Sequence, residues 1–424
     1  MVGLEALAFS VPQYFINLTD LAIARGIDPD KYTSGLGQRE MSVATPCEDA
    51  VTLAASAGRR LLSNFDIDPE SIALLIVGAE TGIDYSKPIA SYVHEMLGLP
   101  SLCRSFEIKH ACYGGMAGLF TASQWTMSGR AAGRKALVIA TDIARYGVGT
   151  PGEPTQGAGA VAMLISDKPA LIEFDTSGEG YYSKQVMDFW RPIYSKEAFA
   201  DGHYSIACYL DALQYSYAAY RRTSGHDGDR HFADRFVACL YHTPFVKMAQ
   251  KAHQRLLETD AGAPFAPDGP EMKSARDDFA RRVAPSLEIN ARVGNIYTGS
   301  LFLSLVNFLE DQGDRATARL FSLFSYGSGC QAEFITARVG ERAGQAMKRQ
   351  SFRAILEGRT RLDVRRYEEI LEANGVADFN DSKVCDPDVW HIEGPFVYTG
   401  ARNHQRQYLN RGTGALEMAS IAIS

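Results

Sequence analysis

No lysine or arginine precedes Arg25 in this chain of 424 residues. A secretory leader needs a basic segment ahead of an apolar run, so export by signal peptide is not expected, and the mature protein is expected to start near Met1. A bilayer-length apolar run is also missing. The longest uncharged stretch near the middle, Ala111 to Gly129, contains four glycines with Ser, Thr and Gln, and reads as a buried helix, not a membrane span. Basic charge is in deficit: 43 Lys and Arg stand against 50 Asp and Glu, a net charge of -7. That balance argues against a nucleic-acid partner, which requires a cationic footprint to replace phosphate counterions, and leaves a polyanionic small ligand open. The seven cysteines lack paired spacing, which suits a reducing cytosol and individual thiols better than a disulfide framework or a zinc site. No short-period repeat occurs.

What remains is the profile of a soluble globular enzyme, 46% hydrophobic and 22% charged, long enough for two large lobes or one large unit. Apolar runs at Ile72 to Val77, Lys135 to Ala140, Ala158 to Ile165, Phe236 to Tyr241 and Leu320 to Phe324 read as buried strands. Helical patterns lie between them at Cys47 to Leu62, Pro88 to Leu97, Ala111 to Met127, Val246 to Leu257 and Tyr297 to Leu309. Their alternation predicts an α/β fold whose low-charge helices are sandwiched between other layers. Arg222 to Arg230 and Ala261 to Pro270 read as surface loops. The Arg-rich region Glu341 to Glu369 reads as a solvated helical face.

Three residues fall where α/β proteins gather their chemistry, at strand ends or a helix start. Cys112, in Lys109-His110-Ala111-Cys112-Tyr113-Gly114-Gly115, begins a small-residue helix whose N-terminal dipole would favour thiolate, although a buried cysteine is more often an inert small hydrophobe. Glu80 follows the 72–77 run. Burial there would raise its pKa toward general acid–base work, with a helix cap or an ion-paired glutamate as the plainer alternative. His242 ends the 236–241 run and introduces Lys247 and Lys251, which could meet phosphates; the plainer reading is a core histidine. Asn295 and Ser328 sit in glycine-bearing turns that suit close approach to a ligand.

In this order along most of the chain, these segments resemble the hydroxymethylglutaryl-CoA synthase family, in its bacterial form. The resemblance is carried by Val11 through Gly37-Gln38, Asp142-Ile143-Ala144-Arg145-Tyr146, Gly152-Glu153-Pro154-Thr155-Gln156-Gly157-Ala158-Gly159-Ala160, Asp188-Phe189-Trp190-Arg191-Pro192, Asp201-Gly202 with Ser205, and His242 with Pro244-Phe245 and Lys247-Met248. It implies a thiolase-like layered αβαβα architecture of two related halves, 1–168 with the Glu and Cys and 169–424 with the His, Asn and Ser, in a cytoplasmic homodimer. It also implies roles. Cys112 would accept acetyl from acetyl-CoA, Glu80 would remove a methyl proton, and His242 would polarise the carbonyl of acetoacetyl-CoA, with no metal or other cofactor. Asn295, Ser328, Thr155, Ser205, Tyr146, Lys247, Lys251 and Asp28 would contact substrate, and Asp142 and Asp188 would support the catalytic groups. His110 and Tyr241 depart from the family pattern, and the Thr259 to Met272 loop looks different. Two alternatives accompany this expectation: a polyketide-branching relative acting on acetoacetyl groups held by an acyl carrier protein, and a catalytically silent acyl-CoA-binding homologue.

Overall fold

The computed structural model describes residues 1–195, 197–377, 385–412 and 414–415. Among them, ten strands form one mixed sheet. Its order is Cys239–Tyr241, Leu320–Gly327, Gln331–Val339, Ile172–Phe174, Gly3–Ser10, Gly157–Ser166, Lys135–Ala144, Ile72–Gly78 and Arg104–Ile108, with Gly180–Ser183 also paired to Gln331–Val339. Two short pairings, Gly3 with Glu173 and Leu4 with Ile172, join an N-terminal and a C-terminal half.

Alternation along the strands builds the layers, because successive side chains leave a strand on opposite faces. In Ile72–Gly78, Ile76 lies in one core cluster with Met116 and Leu119 of the helix Gly114–Met127, while Leu75 and Val77 lie in another with Leu53 and Leu61 of the helix Ala50–Asn64. In Leu320–Gly327, Leu323 faces that same central cluster with Leu305 and Val306 of the helix Ser300–Gln312. Phe324 and Tyr326 point the other way, onto Tyr209, Tyr217 and Met248 of the helices Gly202–Thr223 and Val246–Ala261. The result is the expected αβαβα stack, with two helices enclosed between sheet layers. Residues 300–309 of the enclosed helix are all buried and uncharged, as a helix covered on every side requires. Each buried Leu or Phe there contributes about 1.5–3 kcal/mol of hydrophobic stabilisation.

All five runs read as strands are strands, though the 236–241 run pairs only over Cys239–Tyr241. The helix Val246–Ala261 ends at Gly262 in a left-handed conformation, where the loop over 261–270 is expected to begin. Within the Arg-rich region Arg359 departs from a solvated face: it is buried against Glu40 and the Arg292 carbonyl. A second departure concerns cysteine. Cys47 and Cys385 form a disulfide across 338 residues of sequence, a separation at which spacing carries no signal, and five thiols stay free.

Candidate active site

The parallel strands Ile72–Gly78, Arg104–Ile108 and Lys135–Ala144 deliver their carboxyl ends to one place, where the chain supplies Glu80, Cys112 and Asp142. Close backbone approach fixes their spacing. A Cβ on Gly78 would lie 2.5 Å from the Gly114 carbonyl carbon, so only glycine lets the strand end touch the start of the helix that follows Cys112. On the other side a Cβ on Gly327 would lie 2.6 Å from the Tyr113 nitrogen and 2.9 Å from the His110 oxygen, which seats the Ser328 turn directly on the Cys112 loop. Ala111, next to Cys112, holds φ at +36°, a left-handed conformation that costs an alanine energy and turns the chain sharply before the helix.

Asp142 is the joint of the site. Its Oδ1 accepts from the Glu80 and Thr81 amides at 2.8 and 2.7 Å, and its Oδ2 from the Thr298 amide and hydroxyl at 3.0 and 2.6 Å. One fully buried carboxylate thus ties the Glu80 loop to the turn that carries Asn295. Asn295 is itself buried, its Oδ1 accepting from the Tyr297 amide and the Ser300 hydroxyl, and its amide donating to the Thr155 carbonyl. Tyr146, Tyr297 and Phe189 form an aromatic wall beside Cys112.

Glu80 is buried, and neither carboxylate oxygen has a hydrogen-bond partner. Burial pushes its carboxyl up to about 8, with the Asp142 charge adding to the rise and Arg191 and Lys109 opposing it. The thiol of Cys112 departs from expectation. A helix N-terminus favours thiolate, whereas burial, followed by the Glu80, Asp142 and Asp188 charges, pushes this thiol well above its ordinary range. In the resting site Cys112 is a neutral thiol.

His242 follows the strand Cys239–Tyr241, its amide donating to the Phe324 carbonyl at 2.7 Å and its carbonyl accepting from the Tyr209 hydroxyl at 2.7 Å. Burial lowers its ring to about 3, so it is a neutral imidazole that can donate one N–H and accept at the other nitrogen. Asp188 links this side to Cys112. It accepts from the Tyr326 hydroxyl at 2.6 Å, the Gly329 amide at 3.1 Å and the Ser205 hydroxyl at 3.5 Å, and its charge reaches Cys112.

Three further residues lie outside this hydrogen-bonded centre. Lys247 is half-buried with Nζ on Gln250 at 3.0 Å, and Lys251 is exposed. Asp28 is exposed and accepts from the Asp30 amide within its own turn. The loop from Arg25 to Gln38 is nevertheless fastened to both neighbours. Arg25 forks onto buried Glu153 at 3.0 and 2.9 Å, and the Lys247 amide donates to the Leu36 carbonyl.

Arg191, Thr298, Tyr209 and Tyr326 belong to the site without standing out in the sequence. Only Arg191 carries a visible signal, its place beside Asp188 in the Asp-Phe-Trp-Arg-Pro segment. Among the described residues no group of three or more His, Cys, Asp or Glu is placed to hold a metal, and no helix is long and apolar enough to cross a membrane.

Comparison with known proteins agrees with this geometry. Residues 1–170 match the family model for the N-terminal part of hydroxymethylglutaryl-coenzyme A synthase, and residues 172–268 and 266–380 match that for the C-terminal part. The chain is 36% identical over 370 residues to hydroxymethylglutaryl-CoA synthase of Enterococcus faecalis, covering 87% of this chain and 91% of that protein. It is 34% identical to PksG of Bacillus subtilis (strain 168), a polyketide biosynthesis 3-hydroxy-3-methylglutaryl-ACP synthase, with 90% of each chain covered. Among solved structures, MvaS in complex with 3-hydroxy-3-methylglutaryl coenzyme A superposes with a TM-score of 0.88 at 43% identity, over 96% of this chain and 99% of that one. The HMG synthase of the curacin biosynthetic pathway, in complex with holo donor-ACP, superposes with 0.88 at 35% identity over the same shares.

Proposed function

We infer the reaction from one premise: the chain belongs to the hydroxymethylglutaryl-coenzyme A synthase family. It is a condensing acyltransferase that joins acetyl-CoA, acetoacetyl-CoA and water into 3-hydroxy-3-methylglutaryl-CoA and free CoA. The observation that carries the residue roles is a buried acid, neither of whose oxygens is hydrogen-bonded, beside a buried thiol. A buried carboxyl without hydrogen bonds is costly, which marks it as a group kept for use.

In this reading the Cys112 sulfur attacks the acetyl thioester, and CoA leaves with the thiol proton. Glu80 then takes a proton from the acetyl methyl, and the C–H pair becomes the nucleophile, its charge spread onto the thioester oxygen. That carbon adds to the ketone of acetoacetyl-CoA while His242, as a neutral imidazole, donates its N–H toward the oxygen that becomes the alcohol. Water finally cleaves the enzyme thioester and restores Cys112. Asn295, Ser328 and Tyr146 border the acetoacetyl group, Thr155 and Ser205 border the acyl chain, and Lys247, Lys251 and Asp28 lie toward the CoA end. Every step is acyl transfer, proton transfer, carbonyl addition or thioester hydrolysis, and the reading invokes no cofactor.

As part of the same proposal the enzyme is a cytoplasmic homodimer whose product serves mevalonate-type isoprenoid supply. The similarity to PksG and to the curacin enzyme favours one second reading, acetoacetyl bound to an acyl carrier protein. The test is CoA release from acetyl-CoA with either acceptor, paired with intact mass. Wild type is expected to gain one acetyl group and to release CoA rapidly with acetoacetyl-CoA; Cys112→Ala should do neither. Turnover with the carrier-bound acceptor alone would select the second reading. A wild-type mass that never rises by an acetyl group would remove both.

A further inference from the structure

Among the described residues one cation is ion-paired with Glu80, and it comes from a distant part of the chain. Arg191 reaches Glu80 twice: Nη2 donates to the backbone carbonyl at 2.9 Å and stands 3.5 Å from carboxylate Oε1. The Arg191 side chain is four-fifths buried in doing so. Its approach is prearranged. Asp188, three residues earlier, is pinned by Tyr326 and Gly329, and the next residue, Phe189, packs edge-on against Tyr146 and Tyr297. A short pairing of Phe189–Trp190 with Phe199–Ala200 follows.

We propose that Arg191 is a positioning residue for proton abstraction, favouring the charged form of the Glu80 carboxylate and aiming it at the acetyl group on Cys112. The inference rests on Glu80 acting as the base. Around Glu80 the charged or titratable groups are Asp142, Cys112, Tyr146 and Tyr297, whose ionised forms disfavour its charge, and Lys109 and Arg191, which favour it. Of the two cations, Arg191 alone has a hydrogen bond or ion pair to Glu80 among the described residues. A guanidinium is well matched to this position, because it stays charged throughout the working range, and here its Nη2 serves the carbonyl and faces the carboxylate at once. Removing it leaves burial and the Asp142 charge unopposed on that side, so a smaller fraction of Glu80 is ionised at any given pH.

The experiment measures condensation against pH for wild type, Arg191→Gln, Arg191→Lys and Glu80→Gln, alongside acetyl loading of Cys112 by intact mass. Arg191→Gln is expected to move the ascending limb of kcat upward by about one unit, a tenfold loss at neutral pH that alkali recovers. Arg191→Lys should restore much of the shift, and loading should persist in both. A midpoint does not depend on how much of a variant is folded. An unmoved midpoint in Arg191→Gln, or a rise confined to the KM for acetyl-CoA, overturns the inference; the second outcome would place Arg191 on the CoA. Full condensation in Glu80→Gln would instead remove Glu80 as the base.

Discussion

A glutamate that follows a buried strand is legible from sequence as a candidate base; its charge state is not. The position of Glu80 is readable because the run Ile72 to Val77 reads as an interior strand, the same logic locates His242, and Cys112 is located by the small-residue helix that follows it. The resting state of Cys112 escapes the sequence because it is set by burial and then by Glu80, Asp142 and Asp188, which lie 32, 30 and 76 residues away and meet only in the fold. The same burial has a consequence for stability. Glu80 titrates at about 8 in the folded protein against an ordinary 4.5. Below 4.5 both states hold it neutral. Between 4.5 and 8 the unfolded chain ionises it freely and the folded protein does not, so stability falls as pH rises through that window. Glu80→Gln removes this loss. The variant is expected to match wild type near pH 4.5 and to exceed it at pH 8.5 by on the order of 3 kcal/mol. Urea unfolding of both proteins at the two pH values measures this, and a difference that does not grow with pH would contradict the burial account.

At the level of elements, strands are legible where a continuous apolar run meets a buried position. The helix Gly202–Thr223 does not stand out in the same way, although its start carries a signal: Asp201 caps it, accepting from the His203 and Tyr204 amides. Its tyrosines blur the apolar stripe. Tyr209, Tyr217 and Tyr220 are buried with their hydroxyls on the His242 carbonyl, Asp260 and Thr336, so polar atoms line a face that packs as core. Tyr241, the departure from the family pattern beside His242, is explained in the same way. Its hydroxyl meets His253 Nδ1 at 2.9 Å, and His253 Nε2 meets Asp278 at 2.8 Å, fastening two helices beneath the strand that presents His242. The joint between the Glu80 loop and the Thr298 turn is more exacting. Asp142 faces donors alone, so Asp142→Asn turns an N–H group against them and leaves at least one backbone amide unsatisfied. We expect a loss of about 2 kcal/mol, seen as a lower urea midpoint at unchanged slope, together with slower condensation. An unchanged midpoint would mean that the two loops are held together by packing alone.

For the whole molecule, layering follows from the alternation of strands and low-charge helices, whereas the closure of the chain on itself does not. The C-terminal ribbon of Phe396–Arg402 and Gln405–Asn410 is anchored on the N-terminal half at one spot. The Tyr398 amide donates to the Cys47 carbonyl at 2.9 Å, and Arg406 and the Tyr408 hydroxyl meet Asp49 at 2.7 and 2.8 Å. Asp49 is also the cap of the helix Ala50–Asn64, so one side chain both starts that helix and receives the ribbon. The Cys47–Cys385 bridge lies in this anchor, with the Cys385 amide on the Thr399 carbonyl at 2.8 Å. Scattered cysteines suggest single thiols because a partner 338 residues away leaves no trace in local spacing. The bridge is testable by counting. Protein denatured without reductant is expected to titrate five thiols, Cys103, Cys112, Cys208, Cys239 and Cys330, and all seven once reduced. In the chain-entropy view a loop this long is worth about 4 kcal/mol or more to the folded state. Cys385→Ser should therefore lower the unfolding midpoint under oxidising conditions and leave it unchanged relative to wild type under reducing ones. Seven reactive thiols in protein never exposed to reductant would show that hydrogen bonds and the Asp49 cluster hold the ribbon without a covalent tie.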